Sequence, residues 1–272
     1  MTNQIPRRAV ILVLFLAGLL PACGGSSDAP PAPAASDEAR WIPLFNGRDL
    51  SGWTPKIAGR ALGEDPRRTF RVEDGVLAVR YDGYAEFGGE FGHLFYAHAY
   101  SRYRMRVEYR FVGEQCPGAP GWAFRNSGIM VHGQPAESMG VDQEFPVSIE
   151  VQLLGDDGSG ARPTANLCTP GTNVVRNGEL ITQHCTNSSA PTFPAGEWVT
   201  VEIEVLGGER IRHFVDGVLV LEYEAPQLDP SDPAAPALAA GGDLLLTGGT
   251  ISLQAESHPV EFRRVELLLL EE

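Results

Sequence analysis

The stretch "YRMRVEYRF", residues 103–111, decides the fold class of this 272-residue chain. Apolar and charged residues alternate along it without an error. One side carries five apolar or aromatic residues, and the other carries Arg and Glu: Tyr103, Met105, Val107, Tyr109 and Phe111 against Arg104, Arg106, Glu108 and Arg110. A period of two residues predicts an antiparallel strand with one buried face and one face in solvent.

Similar strands are predicted on both sides of this stretch. "FRVEDGVLAVR", residues 70–80, has Asp74-Gly75 between two short β-runs, which is typical of a hairpin. Residues 198–224 predict three more strands and residues 251–270 predict two, while helical periodicity is nearly absent. Many short strands joined by Gly-containing turns predict an all-β sandwich or jelly roll of two antiparallel sheets.

The N-terminal segment is predicted to lie outside this fold. Residues 1–22 read as a signal peptide, with a short basic region, 12 apolar residues and the lipobox-like "LPAC". On that interpretation Cys23 is the lipidated N-terminus, and residues 23–39 form a flexible linker before a jelly-roll domain over residues 40–272. The alternative is an ordinary secretory signal in which Cys23 is incidental.

Export and composition restrict the partners. A lipid anchor predicts a cell-envelope protein on the periplasmic or surface side, and Gly24 after the cysteine favours the outer membrane of a cell with two membranes. The formal charge of −14 becomes −16 once Arg7 and Arg8 leave with the signal. This charge argues against nucleic acid and suits a neutral ligand such as a sugar, so membrane contact is expected through the lipid only.

Three further cysteines meet an oxidising compartment after export. Cys168 and Cys185 flank a segment rich in turn residues, and we expect a disulfide between them. Cys116 is then an unpaired thiol. Residues 163–189, which contain His184, are predicted to be a polar loop insertion, and such loops are often functional.

Candidate chemistry begins at "SIEVQLLGDD", residues 148–157. In a strand, Glu150 and Gln152 lie side by side on one face of the sheet, two residues apart. The alternative is a solvated outer face, which antiparallel sheets often have.

The run "WAFRNSGIMVHGQP", residues 122–135, carries the second group of polar residues. In a regular strand Asn126 and His132 share one face, and Arg125 lies on the other. A bulge at Gly128 would bring Arg125 to the face of His132, and bulges are frequent beside active sites. The alternative is that Asn-Ser-Gly begins the strand as a turn, with Arg125 in solvent.

Three more side chains are candidates for substrate binding. Trp122 can stack on a sugar, although core packing explains a large aromatic residue equally well. His184 lies in the loop insertion, and His93 lies in the Gly-rich segment of residues 87–96. The alternative for His184 is an ordinary surface position, and the alternative for the segment of His93 is a simple turn.

Five motifs in order then resemble a known family. They are "WIPLFNGRDLSGWTPK", "NSGIMVHG", "SIEVQLLG", "WVTVEIEVLGGERIRHFVDG" and "ISLQAESHPVEFRRVEL", spanning residues 41–267. Together they resemble the 3-keto-disaccharide hydrolase family. The resemblance implies a concanavalin- or laminin-G-like jelly roll, export, and action on sugars oxidised at C3.

By the same resemblance, "NSGI" and "EVQ" are the site segments, which map to residues 126–129 and 150–152. "MVHG" stands where many relatives read "FLRG", and this departure leaves the substrate of this chain open.

A 3-keto glycoside needs one base, one group that polarises the keto oxygen and one proton donor to the leaving oxygen. The hypothesis assigns Glu150 or His132 as the base that removes the C2 proton. Arg125 or a bound divalent cation then stabilises the enolate, while Asn126 and Gln152 position hydroxyls. The reaction is an elimination or a net hydrolysis. The two carboxylates of ordinary glycosidases are not evident in the sequence.

Two other functions are compatible with these residues. The first is a non-catalytic jelly-roll module that binds glycans at the cell envelope. The second is a structural envelope protein that contacts other proteins.

Overall fold

The computed structural model describes residues 41–239 and 242–271, so the predicted signal peptide, Cys23 and linker lie outside the described residues. The described chain is all-β and consists of two antiparallel sheets. The jelly-roll sandwich predicted from the strand pattern is confirmed. Among the described residues, no helix is long and apolar enough to cross a membrane.

The larger sheet has ten strands, nine of them in the order β11-β10-β15-β14-β13-β6-β17-β4-β3, while β1 pairs with β17. Its strands are β1 (Ile42–Pro43), β3 (Phe70–Glu73), β4 (Val76–Val79), β6 (Arg102–Phe111), β10 (Thr172–Arg176), β11 (Glu179–Ile181), β13 (Val199–Leu206), β14 (Arg210–Val215), β15 (Val218–Leu228) and β17 (Val260–Leu269).

The smaller sheet has seven strands in the order β12-β9-β8-β7-β16-β5-β2. Its strands are β2 (Trp53–Ile57), β5 (Gly92–Tyr96), β7 (Asn126–Gly133), β8 (Ile149–Leu154), β9 (Asn166–Cys168), β12 (Cys185–Thr186) and β16 (Thr250–Ala255). Short 3-10 helices in the described part of the chain connect strands at Gly121–Ala123, Ala136–Ser138 and Ala235–Leu238.

The core lies between the two sheets. Strand β6 buries all five of its apolar side chains there, as its alternation predicts. The smaller sheet packs against them with aliphatic side chains. On β8 these are Ile149, Val151 and Leu153, which alternate with Glu150 and Gln152 along the strand. Burial of this apolar surface is the main favourable term in folding.

The outer face of the larger sheet carries cross-strand ion pairs. Arg104 of β6 meets Glu202 of β13 at 2.7 Å, and Arg106 meets Glu266 of β17 at 2.5 Å. These side chains are half-buried, and pairs near the surface contribute about 0–1 kcal/mol each. The charged side of β6 therefore forms the half-buried outer face of the larger sheet.

Two expectations are wrong. Residues 163–189 contain four short strands, β9 to β12, rather than a loop alone. They cross from the smaller sheet to the larger one and back, so that β12 forms one edge of the smaller sheet and β11 forms one edge of the larger sheet.

The bulge expected at Gly128 is also absent. Strand β7 pairs with β8 in one register from Asn126 to Val131. The register of β7 shifts instead where it pairs with its other neighbour, β16, between Met130 and Gly133. Within this irregular part of β7, His132 has a left-handed φ of 50°.

Candidate active site

The face of the smaller sheet that points away from the core carries the polar residues of the central strands. Glu150 and Gln152 of β8 lie on it, and cross-strand register places Asn126 and Gly128 of β7 on the same side. Gln254 of β16 lies next along, directly opposite His93 of β5. Because successive side chains of a strand point to opposite faces, the residues between these polar ones point into the core.

A cavity of about 440 Å³ opens on this face. Its polar lining comes from four side chains: Asn126, Glu150, Gln152 and Glu256. Its other walls come from two aromatic rings, a proline, and the disulfide with the histidine beside it: Trp122, Phe145, Pro170, Cys168, Cys185 and His184. A mostly apolar cavity with a few converging polar groups is the usual form of a small-molecule site.

Glu150 is buried beneath the cavity, with 5% of its surface exposed. Burial alone raises the pKa of its carboxyl to about 8. Glu256 follows β16 and is also buried. Burial and the neighbouring Glu150 carboxyl raise the pKa of Glu256 well above its ordinary value, and the Arg162 charge lowers it by less. The two carboxyls therefore hold at least one proton at neutral pH.

Glu256 is the cavity-lining carboxyl that sequence reasoning missed. It stands in "QAESHP", within a motif that carried the family resemblance, but it follows the end of β16. Strand alternation gives no information beyond a strand end. The separation of 106 residues from Glu150 hides the pairing, which only the adjacency of β16, β7 and β8 reveals.

The amides beside the carboxyls have free hydrogen-bonding capacity. Asn126 Nδ2 lies 3.5 Å from the Trp122 carbonyl, and its Oδ1 is buried without a partner. Gln152 Oε1 accepts from Asn166 Nδ2 at 3.0 Å, which leaves Gln152 Nε2 as the donor. Both predicted positioning residues line the cavity with Glu150.

Trp122 and His184 stand at the mouth of the cavity. The Trp122 side chain is 56% exposed and stacks on Phe91, with ring centroids 5.7 Å apart and planes 10° from parallel. Core packing is thus not its role; the ring is held in place with one surface free. His184 is exposed and also lines the cavity.

The predicted disulfide joins Cys168 of β9 to Cys185 of β12, which are directly opposite in register. The prediction is confirmed, and Cys116 is free and buried, as expected. His184 completes a trio with these two sulfurs whose ligand atoms lie within 4.8 Å of one another. The disulfide occupies both sulfurs. Elsewhere in the described ranges, no three His, Cys, Asp or Glu side chains are grouped like metal ligands.

His132 and Arg125 do not converge on Glu150, so the expected geometry is wrong for both. The left-handed backbone at His132 turns its ring away to the Gly207 carbonyl, which lies 2.9 Å from Nε2. Arg125 precedes β7, also with a left-handed φ, and its guanidinium donates to the Asp156 carbonyl and lies over the Phe124 ring. Neither side chain lines the cavity around Glu150.

His93, predicted as a substrate-binding residue, lies on β5 opposite Gln254 and does not line the cavity. It is fully buried, and its ring meets Phe145 edge-on at 5.9 Å. Burial lowers the pKa of His93 to about 3, so the ring is neutral. Both of its ring nitrogens lack partners in the described chain, as do both polar atoms of the adjacent Gln254.

Comparison with known proteins agrees with this architecture. The family model described as a 3-keto-alpha-glucoside-1,2-lyase-like domain matches residues 40–268. The comparison with curated protein sequences found no significant match.

Two solved structures share the fold. Both are crystal structures of proposed glycosyl hydrolases from Parabacteroides distasonis ATCC 8503. The first has a TM-score of 0.52 and 18% identity, and the alignment covers 86% of this chain and 96% of that chain. The second has a TM-score of 0.50 and 19% identity, with 85% and 99% covered. At this identity the likeness establishes the fold.

Proposed function

Because the chain belongs to the 3-keto-alpha-glucoside-1,2-lyase-like domain family, which supports a carbohydrate-acting enzyme, we propose that it cleaves the glycosidic bond of 3-keto-glucosides by elimination. The observation that carries the proposal is the pair of buried carboxyls, Glu150 and Glu256, in one cavity. An elimination needs one base and one acid, and a pair that retains a single proton supplies both.

Glu150 is the base in this proposal. The ketone at C3 makes the proton at C2 acidic, and the ionised Glu150 removes it to give an enolate. The pKa of about 8 makes Glu150 a stronger base than an ordinary carboxylate. It also means that only part of the protein is in the ionised form at neutral pH.

Glu256 is the acid. The enolate collapses, the C3 ketone re-forms, a C1–C2 double bond is made and the C1–O bond breaks. The departing oxygen takes the proton of Glu256. This proton is retained because burial and the nearby Glu150 oppose ionisation of Glu256. Addition of water to the unsaturated product is a separate step, which would turn the elimination into a net hydrolysis.

The amides orient the sugar. Gln152 Nε2 is a free donor, and the amide of Asn126 belongs to the same lining. Their capacity to bond ring hydroxyls and the keto oxygen would hold C2 against Glu150, and fixed orientation is itself a large part of catalysis. Trp122 would stack on the apolar face of the substrate at the mouth.

The test uses 4-nitrophenyl 3-keto-glucoside and its unoxidised parent. We expect release of nitrophenol and an ultraviolet-absorbing enone from the keto substrate only. Glu150→Gln and Glu256→Gln should each lower kcat by at least about a hundredfold, the usual contribution of a positioned acid or base. Glu224→Gln is the matched control, because Glu224 is exposed and ion-paired on the larger sheet.

If the folded protein leaves every 3-keto glycoside intact, the enzyme proposal fails. A glycan-binding module would instead retain sugar affinity with no turnover, and Glu150→Gln would change only that affinity.

We also propose that the chain is exported and anchored in the cell envelope by a lipid on Cys23. The signal segment of residues 1–22 and the linker that follows support this location. Cys23→Ser should abolish incorporation of labelled palmitate and release the protein from the membrane fraction. Retention of label in that variant would contradict the proposal.

A further inference from the structure

Arg162 is a largely buried cation at one end of the smaller sheet, with 14% of its side chain exposed. Its guanidinium donates to three backbone carbonyls, from Nη1 to Gly155 at 2.6 Å and to Arg125 at 3.1 Å, and from Nη2 to Phe124 at 2.7 Å. These carbonyls lie just beyond the end of β8 and just before the start of β7. The guanidinium is therefore fixed across the ends of both strands.

The register of the sheet brings Glu256 to the same end. Leu253 of β16 pairs with Ile129 of β7, and continuing this antiparallel register by three residues places Glu256 beside Asn126. Both of these side chains line the cavity. Because Arg162 binds the carbonyls of the two residues that precede Asn126, its charge lies at the strand end that neighbours Glu256.

The charge of Arg162 is only weakly neutralised. Within the described ranges its one ion pair is with the exposed Asp157, where Nε and Oδ2 are 3.6 Å apart, and its hydrogen bonds go to neutral carbonyls. A largely buried guanidinium ordinarily has a close carboxylate partner, because an unpaired buried charge is costly. Burial and then Glu150 raise the pKa of Glu256, and the charge of Arg162 lowers it. The uncompensated guanidinium thus acts on the Glu256 carboxyl.

Other titratable groups around Glu256 do not supply a positive charge. Burial, followed by the charges of Arg125 and Arg162, lowers the pKa of His258 to about 4, so its ring is neutral at pH 7. Burial raises the pKa of the Tyr81 phenol well above its ordinary value, so this group is neutral too. Arg162 is therefore the cation that favours the ionised form of Glu256.

We propose that Arg162 is a positioning residue for the elimination, which holds a positive charge near Glu256 and thereby favours transfer of the Glu256 proton to the departing oxygen. In that step the O–H bond of Glu256 breaks, an O–H bond forms on the leaving group, and Glu256 is left as a carboxylate. A fixed charge of opposite sign stabilises this carboxylate without reorganisation. The inference rests on the proposed elimination, because it concerns the acid of that reaction.

The experiment measures kcat against pH for Arg162→Gln and Arg162→Lys with 4-nitrophenyl 3-keto-glucoside. In the glutamine variant the high-pH limb of the profile, where Glu256 loses its proton, should move up by about one pH unit, because an opposite charge nearby lowers a carboxyl pKa on that scale. The lysine variant keeps the charge and should retain the wild-type limb. The low-pH limb belongs to Glu150, whose pKa is raised by burial alone, and should stay in place in both variants.

Two further variants separate the charge from the fold. Arg264→Gln is the matched control and should move neither limb, because Arg264 is exposed and pairs with Glu108 and Glu266 on the larger sheet at 3.5 and 3.6 Å. Asp157→Asn leaves Arg162 in place and removes the acid that offsets its charge, so the high-pH limb should move down by less than about one pH unit. This change is at the surface, so it tests the proposal even where circular dichroism shows that Arg162→Gln has lost its fold.

A titration of the protein labelled with 13C at the glutamate carboxyls needs no turnover. The Glu256 resonance, identified by its absence in Glu256→Gln, should titrate at higher pH in Arg162→Gln than in wild type.

Wild-type protein that cleaves no 3-keto glucoside would overturn the elimination and this role of Arg162 with it. An active wild type would leave the role of Arg162 alone to be overturned, by a high-pH limb and a Glu256 resonance that do not move in Arg162→Gln. Equal movement of the limb in the glutamine and lysine variants would overturn it as well. If Arg162→Gln is unfolded, an unmoved high-pH limb in Asp157→Asn would do the same.

Discussion

Gly128 makes room for the Glu150 carboxyl. A β-carbon on Gly128 would lie 2.8 Å from Glu150 Oε1 and 2.9 Å from its Cγ, with Gln254 Oε1 at 3.1 Å on the other side. The backbone at Gly128 is ordinary strand with no left-handed φ, so the requirement for glycine is one of space.

Gly128→Ala should therefore displace Glu150 while leaving the strand intact. We expect kcat to fall by at least about tenfold, because small displacements of a reacting group are costly, with near-normal circular dichroism. Gly121→Ala is the matched control, since a β-carbon there meets nothing within 4 Å and φ is not left-handed. Equal activity of the two variants would refute the role of Gly128.

The rate of elimination should depend on the ionisation of Glu150. Its pKa of about 8 means that the basic form accumulates as pH rises from 6 to 8, and kcat should rise with it. At higher pH the rate should fall once Glu256 loses its proton. A profile of kcat against pH checks this, and a rate that is flat between pH 6 and 8 would exclude Glu150 as the base.

Stability should change with pH in the opposite direction. The pKa of Glu150 is raised from an ordinary 4.5 to about 8 in the folded state. The folded protein therefore holds a proton that the unfolded chain has lost, and stability declines as pH rises through this window. The slope for one such group is at most about 1.4 kcal/mol per pH unit.

Urea unfolding at pH 5, 6.5 and 8 measures this decline. Glu150→Gln should reduce the slope and be more stable than wild type at pH 8, whereas Glu224→Gln should keep the wild-type slope. If the free energy of unfolding changed with pH equally in wild type and Glu150→Gln, the raised pKa of Glu150 in the folded state would be contradicted.

Reduction of the disulfide should destabilise the protein. Cys168 and Cys185 are 17 residues apart, and closing a loop of that length contributes about 3 kcal/mol. Dithiothreitol should lower Tm and raise KM, because the disulfide lines the cavity. In a Cys168→Ala, Cys185→Ala double variant, dithiothreitol should change neither Tm nor KM. A drop in the Tm of that variant on adding dithiothreitol would show that the reductant acts on something other than this disulfide.

Trp122→Ala should weaken substrate binding more than chemistry. The exposed ring stacks on Phe91 and is not core, so the fold should persist. We expect KM to rise about fivefold with kcat nearly unchanged, the pattern of an interaction equal in ground and transition states. Leu180→Ala, equally exposed on β11, is the control. A loss confined to kcat would show that Trp122 acts on the reaction itself.

Alternation predicted the strands well because each has one face in the core. It also put Glu150 and Gln152 on one face, and the cysteine spacing predicted the disulfide correctly. The bulge predicted at Gly128 of β7 is wrong, because the sequence does not distinguish a glycine that bends a strand from one that makes room for a neighbouring side chain. Glu256 and the turned ring of His132 depend on contacts between residues more than 70 positions apart, which periodicity does not report.

The disulfide has a further consequence for engineering. Between its two cysteines the chain leaves the smaller sheet, forms the β10–β11 hairpin at the edge of the larger sheet and returns. One wall of the cavity around Glu150 thus belongs to a segment, residues 166–186, that is closed by its own disulfide. Exchanging residues 166–186 between relatives would transplant that wall as a unit, so new substrate preferences could be grafted without touching the carboxyl pair.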